Sequence, residues 1–378
     1  MKKMMVVLIA LFMFFAGLTF SCVTGGKSGY EGSWYEDPAL QGKIEKMYKS
    51  RNLFAMRQAS IVEISAYAKK QNPKFLILPQ NGTAMGFVKG DNHYYAGGVW
   101  DDDPVGYSDV KFNSIKLHKF DEFFLQAIDG WLNEEVMSEN WNWTRVAEIR
   151  ALKQRGIPIL VSEPEVSESD QAEVKKMNED DGFVYYIHQC ADYDTLFPDI
   201  PIGGRENSRD INTFADAKNF LYFIGGDVEE DFDGLVNSNW DVLLVEPFAD
   251  DDEDRLLAPD QVAALKTKAN GGKRLVIAYL NIGAAENWRS YWKNNWRMPS
   301  EDGSIKGNPP WLLYLYEDYP DECFVAFWHQ EWKDIIFSIL DRIIEAGFDG
   351  VHLDNLDGGY EELQDGLDDR VWTWKQLN

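Results

Sequence analysis

Eight short apolar segments recur along this 378-residue chain, and stretches with helical spacing separate most of them. Each segment has the length of a buried β-strand and ends on glycine or polar residues. Strands that alternate with helices predict a parallel sheet, and eight of them are the number that a closed (β/α)8 barrel requires. The predicted strands cover residues 75–79, 124–128, 157–161, 183–187, 220–224, 241–245, 274–280 and 350–353.

The last strand carries the strongest functional signal. Residues 346–360 (AGFDGVHLDNLDGGY) lead from an amphipathic helix into a strand and then into a cluster of aspartates. Side chains alternate along a strand, so His352 and Asp354 share one face. The carboxyl ends of the strands are where such a barrel carries out chemistry. An ordinary solvated loop explains the same residues equally well, because Asp, Asn and Gly also form common turns.

The amino terminus has the pattern of a secretory signal. Lysines, a long apolar run and Ser21-Cys22 predict a signal peptide over residues 1–21. Acylation of Cys22, as in a bacterial lipoprotein, is the favoured interpretation; ordinary cleavage and an uncleaved anchor, short for a bilayer span, are alternatives. Residues 22–40 are predicted to be a tether and 41–378 a single barrel domain with an insertion at 86–121. We expect an exported protein, either an envelope lipoprotein or a secreted one.

The net charge of −26 restricts the partners. An acidic surface repels nucleic acid and favours neutral or cationic molecules, so membrane contact is expected only through the lipid anchor. The five histidines are scattered, and neither a His-x-x-x-His or Cys-x-x-Cys pair nor a phosphate-binding loop occurs. The sequence therefore predicts no metal and no cofactor. Cys190 and Cys323 are either bridged or two buried thiols.

Carboxylates end several of the predicted strands. Glycosidic cleavage needs two carboxyl groups that flank the scissile bond, so their number suits a hydrolase without selecting a pair. Trp131, Trp288 and Trp292 lie nearest to predicted strand ends and are candidates for stacking on sugar rings, although packing explains most of the aromatic residues. The acids at strand ends or one turn later are Asp129, Glu134, Glu135, Glu163, Glu246, Glu286, Asp354 and Asp357.

Several long motifs point to a family. They are residues 276–292 (VIAYLNIGAAENWRSYW), Phe327-Trp328 with Trp332, residues 347–357, Pro79-Gln80-Asn81-Gly82, and residues 127–130 (AIDG) followed by Glu134-Glu135. Together they resemble glycoside hydrolase family 114, the endo-α-1,4-polygalactosaminidases, which are extracellular barrel proteins. In those relatives the segment similar to 220–357 comes first. The resemblance therefore implies a circular permutation, which a closed barrel tolerates because its termini are close together.

The resemblance also implies roles for individual residues. Asp354 would be the nucleophile or base, and Glu134 the proton donor. His352 stands where the relatives more often carry tyrosine, and it would orient Asp354 or shift its pKa. Glu246 replaces a usual aspartate, which implies a reshaped pocket. The residues that would line the pocket are Gln80, Asn81, Asp129, Glu246, Tyr279, Asn281, Glu286 and Asp357.

The sequence thus predicts an exported, lipid-anchored glycoside hydrolase that cuts an α-linked amino-sugar polysaccharide. A partly deacetylated galactosaminoglycan is cationic, which suits an acidic protein. The alternative is a non-catalytic carbohydrate-binding surface lipoprotein on the same barrel, since a fold does not secure a function. A third hypothesis, a structural envelope protein, predicts no cleft at the strand ends.

Overall fold

The computed structural model describes residues 33–88, 117–138, 143–188, 193–197, 205–249, 255–300, 303, 305–357, 360 and 363. Within these ranges the chain is a mixed α/β protein with parallel sheets. Cys22, Cys190, the predicted signal peptide and most of the predicted tether and insertion lie outside the described residues.

The helices and strands alternate for most of the chain. The helices are α1 (Leu40–Tyr48), α2 (Leu53–Gln71), α3 (Glu122–Leu125), α4 (Trp143–Arg155), α5 (Gln171–Asp181), α6 (Phe232–Val236), α7 (Pro259–Leu265) and α8 (Gln330–Ala346). The strands are β1 (Leu76–Pro79), β2 (Trp131–Glu134), β3 (Ile159–Glu163), β4 (Val184–Ile187), β5 (Leu221–Phe223), β6 (Val242–Val245), β7 (Leu275–Asn281), β8 (Ala284–Glu286), β9 (Leu312–Leu315), β10 (Glu322–Val325) and β11 (Gly350–Asp354).

Eight of these strands are parallel and follow one another in space. One sheet has the order β1-β11-β7-β6-β5 and another the order β2-β3-β4. A parallel bridge between Gln80 and Leu132 links the two sheets. Among the described residues no ladder joins β4 to β5, where the rings of Tyr186 and Phe220 lie 5.8 Å apart. The predicted parallel α/β architecture is confirmed, whereas the described strands form an array that is open between β4 and β5 and not the closed ring that was expected.

The predicted strand over 124–128 is wrong. Glu122–Leu125 form the short helix α3, whose first turn is capped by the Asp121 carboxylate accepting from the Phe124 N–H. The strand is Trp131–Glu134 instead. Short apolar runs such as Phe-Phe-Leu fit a buried helix and a buried strand equally well, so periodicity cannot separate the two. The shift moves Asp129 from the carboxyl end of its strand to the amino end.

Helix α8 delivers the strand that carries Asp354. Its apolar stripe buries Trp332, Ile336, Leu340 and Ile343, and each such side chain contributes about 1.5–3 kcal/mol to folding. The helix ends at Gly347, whose φ of 89° is a left-handed conformation that glycine adopts without a steric penalty. The chain then turns directly into β11, between β1 and β7.

Aspartates placed just before three strands tie the amino ends of the sheet together. Each carboxylate binds a lysine and also a backbone N–H at the start of the neighbouring strand or just before it. The Asp241–Lys268 pair is completely buried, with 0% exposure of both side chains. The pairs are Asp129–Lys69 with the Ile77 N–H, Asp241–Lys268 with the Lys218 N–H, and Asp349–Lys266 with the Val276 N–H, and their N···O distances are 2.7–2.8 Å.

Two smaller features flank the parallel strands. Strands β8, β10 and β9 form an antiparallel sheet in which Glu286 lies opposite Glu322. The ends of the predicted insertion meet, because Phe87 pairs with Phe120 and their rings stack at 5.3 Å. In the described part of the chain, no helix combines the length and the apolar character needed to cross a bilayer.

Candidate active site

A pocket of about 640 Å³ opens at the carboxyl ends of the parallel strands. Residues from distant parts of the chain meet here because parallel strands present their carboxyl ends at one edge of a sheet. The described lining includes seven carboxylates and a single cation, Arg289. The residues proposed from the sequence that line it are Gln80, Asn81, Glu134, Glu246, Tyr279, Glu286, Trp288, Asp354 and Asp357.

Asp354 ends β11, and two hydrogen bonds fix its carboxyl group. The Tyr279 hydroxyl donates to Oδ2 at 2.7 Å, and the Asn355 N–H lies 2.7 Å from Oδ1. Burial raises the pKa of Asp354 to about 8, and the nearby charges of Asp357 and Glu134 add to the increase. The carboxyl group therefore keeps its proton near neutral pH unless a positive charge comes close to it.

Glu134 ends β2 and is held by three side chains. The Tyr193 hydroxyl donates to Oε1 at 2.7 Å, while Gln80 and Asn81 donate to Oε2 through their amide groups, Asn81 at 3.3 Å. Burial raises the pKa of Glu134 above its ordinary value, and the hydrogen bond from Tyr193 opposes this increase. A partly buried carboxyl group with a raised pKa suits a proton donor.

The backbone turns sharply after three of these residues. Asn81, Glu135 and Asn355 have φ values of 45°, 51° and 64° and directly follow Gln80, Glu134 and Asp354. Left-handed conformations of this kind are uncommon outside glycine, and they cost about 1–3 kcal/mol where the surroundings impose them. Backbone strain clusters at functional sites, and here it lies beside the two proposed carboxyl groups.

Gly283 brings two of the strand-end loops into contact. A Cβ atom at this position would lie 1.5 Å from the carbonyl oxygen of Asn355, so no side chain fits. The Ile282 N–H donates to the carbonyl oxygen of Asp354 at 3.2 Å. The Tyr360 hydroxyl lies 2.5 Å from the Gly283 carbonyl oxygen and buttresses the loop from behind. The backbone position of Asp354 therefore depends on the turn after β7.

Arg289 neutralises two of the pocket carboxylates. Its guanidinium group binds both oxygens of Glu246 and both oxygens of Glu286 at 2.7–3.1 Å and lies 4.7 Å from the centre of the Phe248 ring. The charges of Glu286 and Glu246 raise the pKa of Arg289, so the group stays charged. These three side chains form an ion-paired wall, whereas Glu134 and Asp354 have no lysine or arginine ion pair among the described residues.

Two exposed aromatic rings stand at the rim. Trp288 is 44% exposed and Tyr319 56% exposed, and both line the pocket. Large aromatic side chains are usually buried, so their exposure at a pocket mouth needs a reason. Flat, partly solvated rings provide the surface on which the apolar face of a sugar can stack. Trp288 was proposed for this role from the sequence; Trp292 instead contacts Trp296, with ring centroids 5.7 Å apart.

Three further proposed residues lie behind or away from the pocket lining. Asp129 lies at the opposite, amino end, bound to Lys69. Trp131 is fully buried, and its indole N–H donates to the Asn81 carbonyl oxygen at 2.6 Å, so it supports the site and has no free face for a sugar. Asn281 donates to Glu322 Oε2 at 3.0 Å and so holds a pocket carboxylate.

His352 lies one layer below the pocket, next to Gln80. Its Nδ1 atom lies 3.0 Å from the Leu78 carbonyl oxygen and its Nε2 atom 2.5 Å from Gln80 Oε1. Burial lowers the pKa of His352 to about 3, so the ring is neutral. The sequence suggested that His352 orients Asp354 or shifts its pKa, but no hydrogen bond joins the two side chains among the described contacts. The His352 side chain instead contacts Gln80.

Sequence reasoning missed several residues of the pocket. Arg289 lies in the turn after Glu286, where no helical spacing indicates their ion pair. Glu322 lies in an antiparallel sheet that the strand pattern did not predict, and burial together with Glu286 and Asp354 raises its pKa to about 8. Tyr193 follows β4 in a loop and carries no periodic signal. The missed lining residues include Tyr193, Tyr222, Arg289, Tyr316, Tyr319 and Glu322.

The second half of the chain is similar to a known protein family. Residues 207–371 match the model of glycoside-hydrolase family GH114. The matched segment contains Asp354, Asp357 and the Arg289 cluster, whereas Gln80, Asn81 and Glu134 precede it.

Three curated relatives match over similar lengths. An uncharacterized protein of Methanocaldococcus jannaschii is 36% identical over 139 residues, which are 37% of this chain and 37% of the relative. One from Deinococcus radiodurans is 39% identical over 120 residues, 32% of this chain and 34% of the relative. One from Thermotoga maritima is 32% identical over 133 residues, 35% and 38%. The chain therefore matches little more than a third of the length of these relatives.

Proposed function

We propose that this protein is an exported glycoside hydrolase that cleaves an α-linked amino-sugar polysaccharide within the chain. The observation that carries the proposal is that Asp354 and Glu134, from strands 220 positions apart, line one pocket. Asp354 is buried and Glu134 partly buried, and both carboxyl groups have raised pKa values and are held by hydroxyl and amide donors. Cleavage of a glycosidic bond requires a pair of carboxyl groups, and the exposed aromatic rings beside them suit a sugar.

Each carboxyl group has one role in this mechanism. Protonated Glu134 donates its hydrogen to the leaving glycosidic oxygen. Ionised Asp354 either attacks the anomeric carbon and forms a glycosyl-enzyme that water then hydrolyses, or takes a proton from the water that attacks this carbon. Tyr279 and the Asn355 N–H hold the Asp354 carboxylate in one orientation. The rings of Trp288 and Tyr319 stack on the sugar, and the ion-paired wall of Arg289, Glu246 and Glu286 bounds the pocket.

The electrostatics of the pocket favour a cationic substrate. The pKa of Asp354 is about 8, so the group needs a stabilising positive charge to ionise at neutral pH. Arg289 cannot supply that charge because Glu246 and Glu286 already bind it. The ammonium group of a deacetylated amino sugar would lower the pKa of Asp354 and produce the carboxylate where it is used. Partly deacetylated galactosaminoglycan has this chemistry.

Two further parts of the proposal concern the whole chain. One part is a circularly permuted (β/α)8 barrel, because the Gln80 and Glu134 segments, which resemble later motifs of the family, here precede the matched residues 207–371. A gene in which residues 205–378 precede 22–204 should yield a protein with the same activity. The amino-terminal pattern supports export with lipidation at Cys22, and incorporation of a fatty-acid probe that is lost in Cys22→Ser tests it.

The proposed activity is tested by incubating the purified protein with partly deacetylated galactosaminoglycan and measuring new reducing ends. We expect cleavage, and a loss of about 10²–10⁴-fold in kcat for Glu134→Gln and at least as much for Asp354→Asn. Asp129→Asn, at the amino end of the strands, is the matched control and should keep the activity. The fully N-acetylated polymer should be cleaved more slowly.

Two results would count against the hydrolase. Binding of the polymer without new reducing ends would favour the non-catalytic carbohydrate-binding alternative. Full activity in Asp354→Asn would remove that residue from the mechanism.

A further inference from the structure

The contacts around His352 contain one conflict. Its Nδ1 atom lies 3.0 Å from the Leu78 carbonyl oxygen, which can only accept, so Nδ1 carries a hydrogen. In a neutral imidazole the other nitrogen, Nε2, then has a lone pair. That lone pair faces Gln80 Oε1 at 2.5 Å, and two acceptors at this distance repel each other.

Two arrangements remove the repulsion. Either the ring becomes an imidazolium and Nε2–H donates to Gln80, or the Gln80 amide turns over and donates from its NH2 group. The first places a charge on a ring that is 0% exposed, and burial opposes that charge. The described titratable groups nearest to the ring are the phenols of Tyr222, whose hydroxyl oxygen lies 3.2 Å from Nε2, and of Tyr279, with its ring centroid at 6.1 Å. No carboxylate among the described residues forms a hydrogen bond with it.

When the Gln80 amide is turned over, its NH2 group can donate to both His352 and Tyr222. One hydrogen of the Gln80 NH2 group goes to His352 Nε2. The other goes to the Tyr222 oxygen, which lies 2.9 Å from the same end of the amide. The ring stays neutral, and its Nδ1–H still donates to Leu78. Exchanging the oxygen and nitrogen of a glutamine amide needs only a half-turn about the Cγ–Cδ bond.

The half-turn has a consequence at Glu134. Glu134 Oε2 lies within hydrogen-bond distance of the other end of the amide, which would then be the Gln80 oxygen. An amide oxygen accepts only, so the carboxyl group has to supply the hydrogen. When His352 is neutral and Glu134 is protonated, every hydrogen-bond donor in the row from Leu78 through His352 and Gln80 to the Glu134 carboxyl group faces an acceptor.

We propose that His352 is a positioning residue that keeps Glu134 in its acid form by orienting the Gln80 amide. This inference rests on the proposed role of Glu134 as proton donor. When Glu134 loses its hydrogen to the leaving oxygen, the NH2 group of Gln80 can donate a hydrogen bond to the Glu134 carboxylate or to His352, but not to both. His352 competes for the donor that would stabilise ionised Glu134, so the acid form persists to higher pH. His352 neither gains nor loses a proton in this cycle.

The other groups around Glu134 act without His352. The Tyr193 hydroxyl donates to the opposite oxygen, Oε1, and stabilises the carboxylate. Arg145 of α4 donates to the backbone carbonyl oxygen of Glu134 and adds positive charge behind it. Asp357 and Glu135 add negative charge. Among the described residues, Gln80 is the side chain that contacts both His352 and the Glu134 carboxyl group.

The first test is nuclear magnetic resonance of the intact protein, labelled with 15N in histidine and 13C in the glutamate carboxyl carbon. We expect His352 to be neutral at neutral pH, with its hydrogen on Nδ1 and with Nε2 accepting, and Glu134 to lose its hydrogen at a higher pH than an ordinary glutamate does. An imidazolium ring, or a hydrogen on Nε2 with ionised Glu134, would overturn the proposal. No substrate is needed, so the result does not depend on whether the protein is a hydrolase.

The second test is a double-mutant cycle of His352→Leu and Gln80→Met. His352→Leu should move the Glu134 titration, and the alkaline limb of kcat against pH, to lower pH, with about a tenfold loss of activity on that limb and KM unchanged. In the Gln80→Met background the same substitution should move neither. An equal shift in both backgrounds, or a lower Tm with no shift, would contradict the proposal.

His352→Gln covers the case in which His352→Leu does not fold. Its amide can donate to Gln80 Oε1 and so favours the orientation that stabilises the carboxylate. It should also shift the Glu134 titration to lower pH, and an unshifted titration would count against the proposed mechanism.

Discussion

The two ends of the parallel strands differ in the ion pairing of their carboxyl groups. At the amino ends, Asp129, Asp241 and Asp349 each bind a lysine and a neighbouring backbone N–H. At the carboxyl ends, Arg289 pairs with Glu246 and Glu286, but buried Asp354 and partly buried Glu134 form no ion pair among the described residues. The ion pairs at the amino ends hold the strands together, while the carboxyl ends keep two acids that have raised pKa values and no described ion pair.

The difference separates the residues that stabilise the fold from those that stand ready for chemistry. A buried carboxylate with a lysine and a backbone donor has its charge balanced, and it gains nothing from a ligand. A buried carboxyl group among like charges is costly to ionise, and that cost falls only when a positive charge or a proton acceptor arrives. Two carboxyl groups that have raised pKa values and no ion pair in the described part of the chain, Asp354 and Glu134, both lie at the carboxyl ends of the strands, which supports the location of the proposed active site.

The largest expected effect is on stability and comes from removing an ion pair at the amino ends of the strands. Lys268→Met leaves Asp241 charged, buried and without its ion pair, so the free energy of unfolding should fall by about 3–5 kcal/mol. The value of kcat/KM, measured well below Tm, should stay unchanged because the pair lies far from the pocket. Asp354→Asn is the matched variant at the other end, and it should lose activity without losing stability. If both variants lowered stability equally, the two ends would not differ as described.

The next effect is a dependence of stability on pH. The pKa of Asp354 rises from 3.8 to about 8 on folding, so between these values the folded protein binds more protons than the unfolded chain. Its contribution to stability is complete below the unfolded pKa and is lost as the pH rises through the folded pKa. Asp354→Asn should therefore have a Tm a few degrees above the wild type at about pH 8.5, with the difference shrinking toward about pH 5. Parallel Tm curves over that range would contradict the raised pKa.

The smallest expected effect concerns the partly exposed ion pair of Asp129 and Lys69. The Asp129 side chain is 27% exposed and that of Lys69 is 7% exposed, so solvent screens their ion pair. Asp129→Asn should cost about 1 kcal/mol of unfolding free energy, measured by urea denaturation, and should change kcat by less than about twofold. A large loss of kcat with normal stability would return Asp129 to the active site.

The sequence predicted the architecture better than the details of the pocket. Seven of the eight predicted strands overlap strands of the structure, because buried parallel strands are short apolar runs that end on polar residues. The prediction of a strand over residues 124–128 was wrong because a single helical turn and a short strand can have the same apolar sequence. That error placed Asp129 at the carboxyl end of a strand, whereas it lies at the amino end. Glu322 and Tyr193 come from an antiparallel sheet and a loop, where no periodic pattern marks a position.

The contact between Gly283 and Asn355 limits how this pocket can be re-engineered. A library that varies residues around the mouth would treat position 283 as a harmless surface turn, yet even alanine there would push the Asn355 backbone aside. The displaced Asn355 would pull its neighbour out of reach of the Tyr279 hydroxyl. Designers who seek new specificities should therefore diversify Trp288 and Tyr319 and leave the glycine as it is.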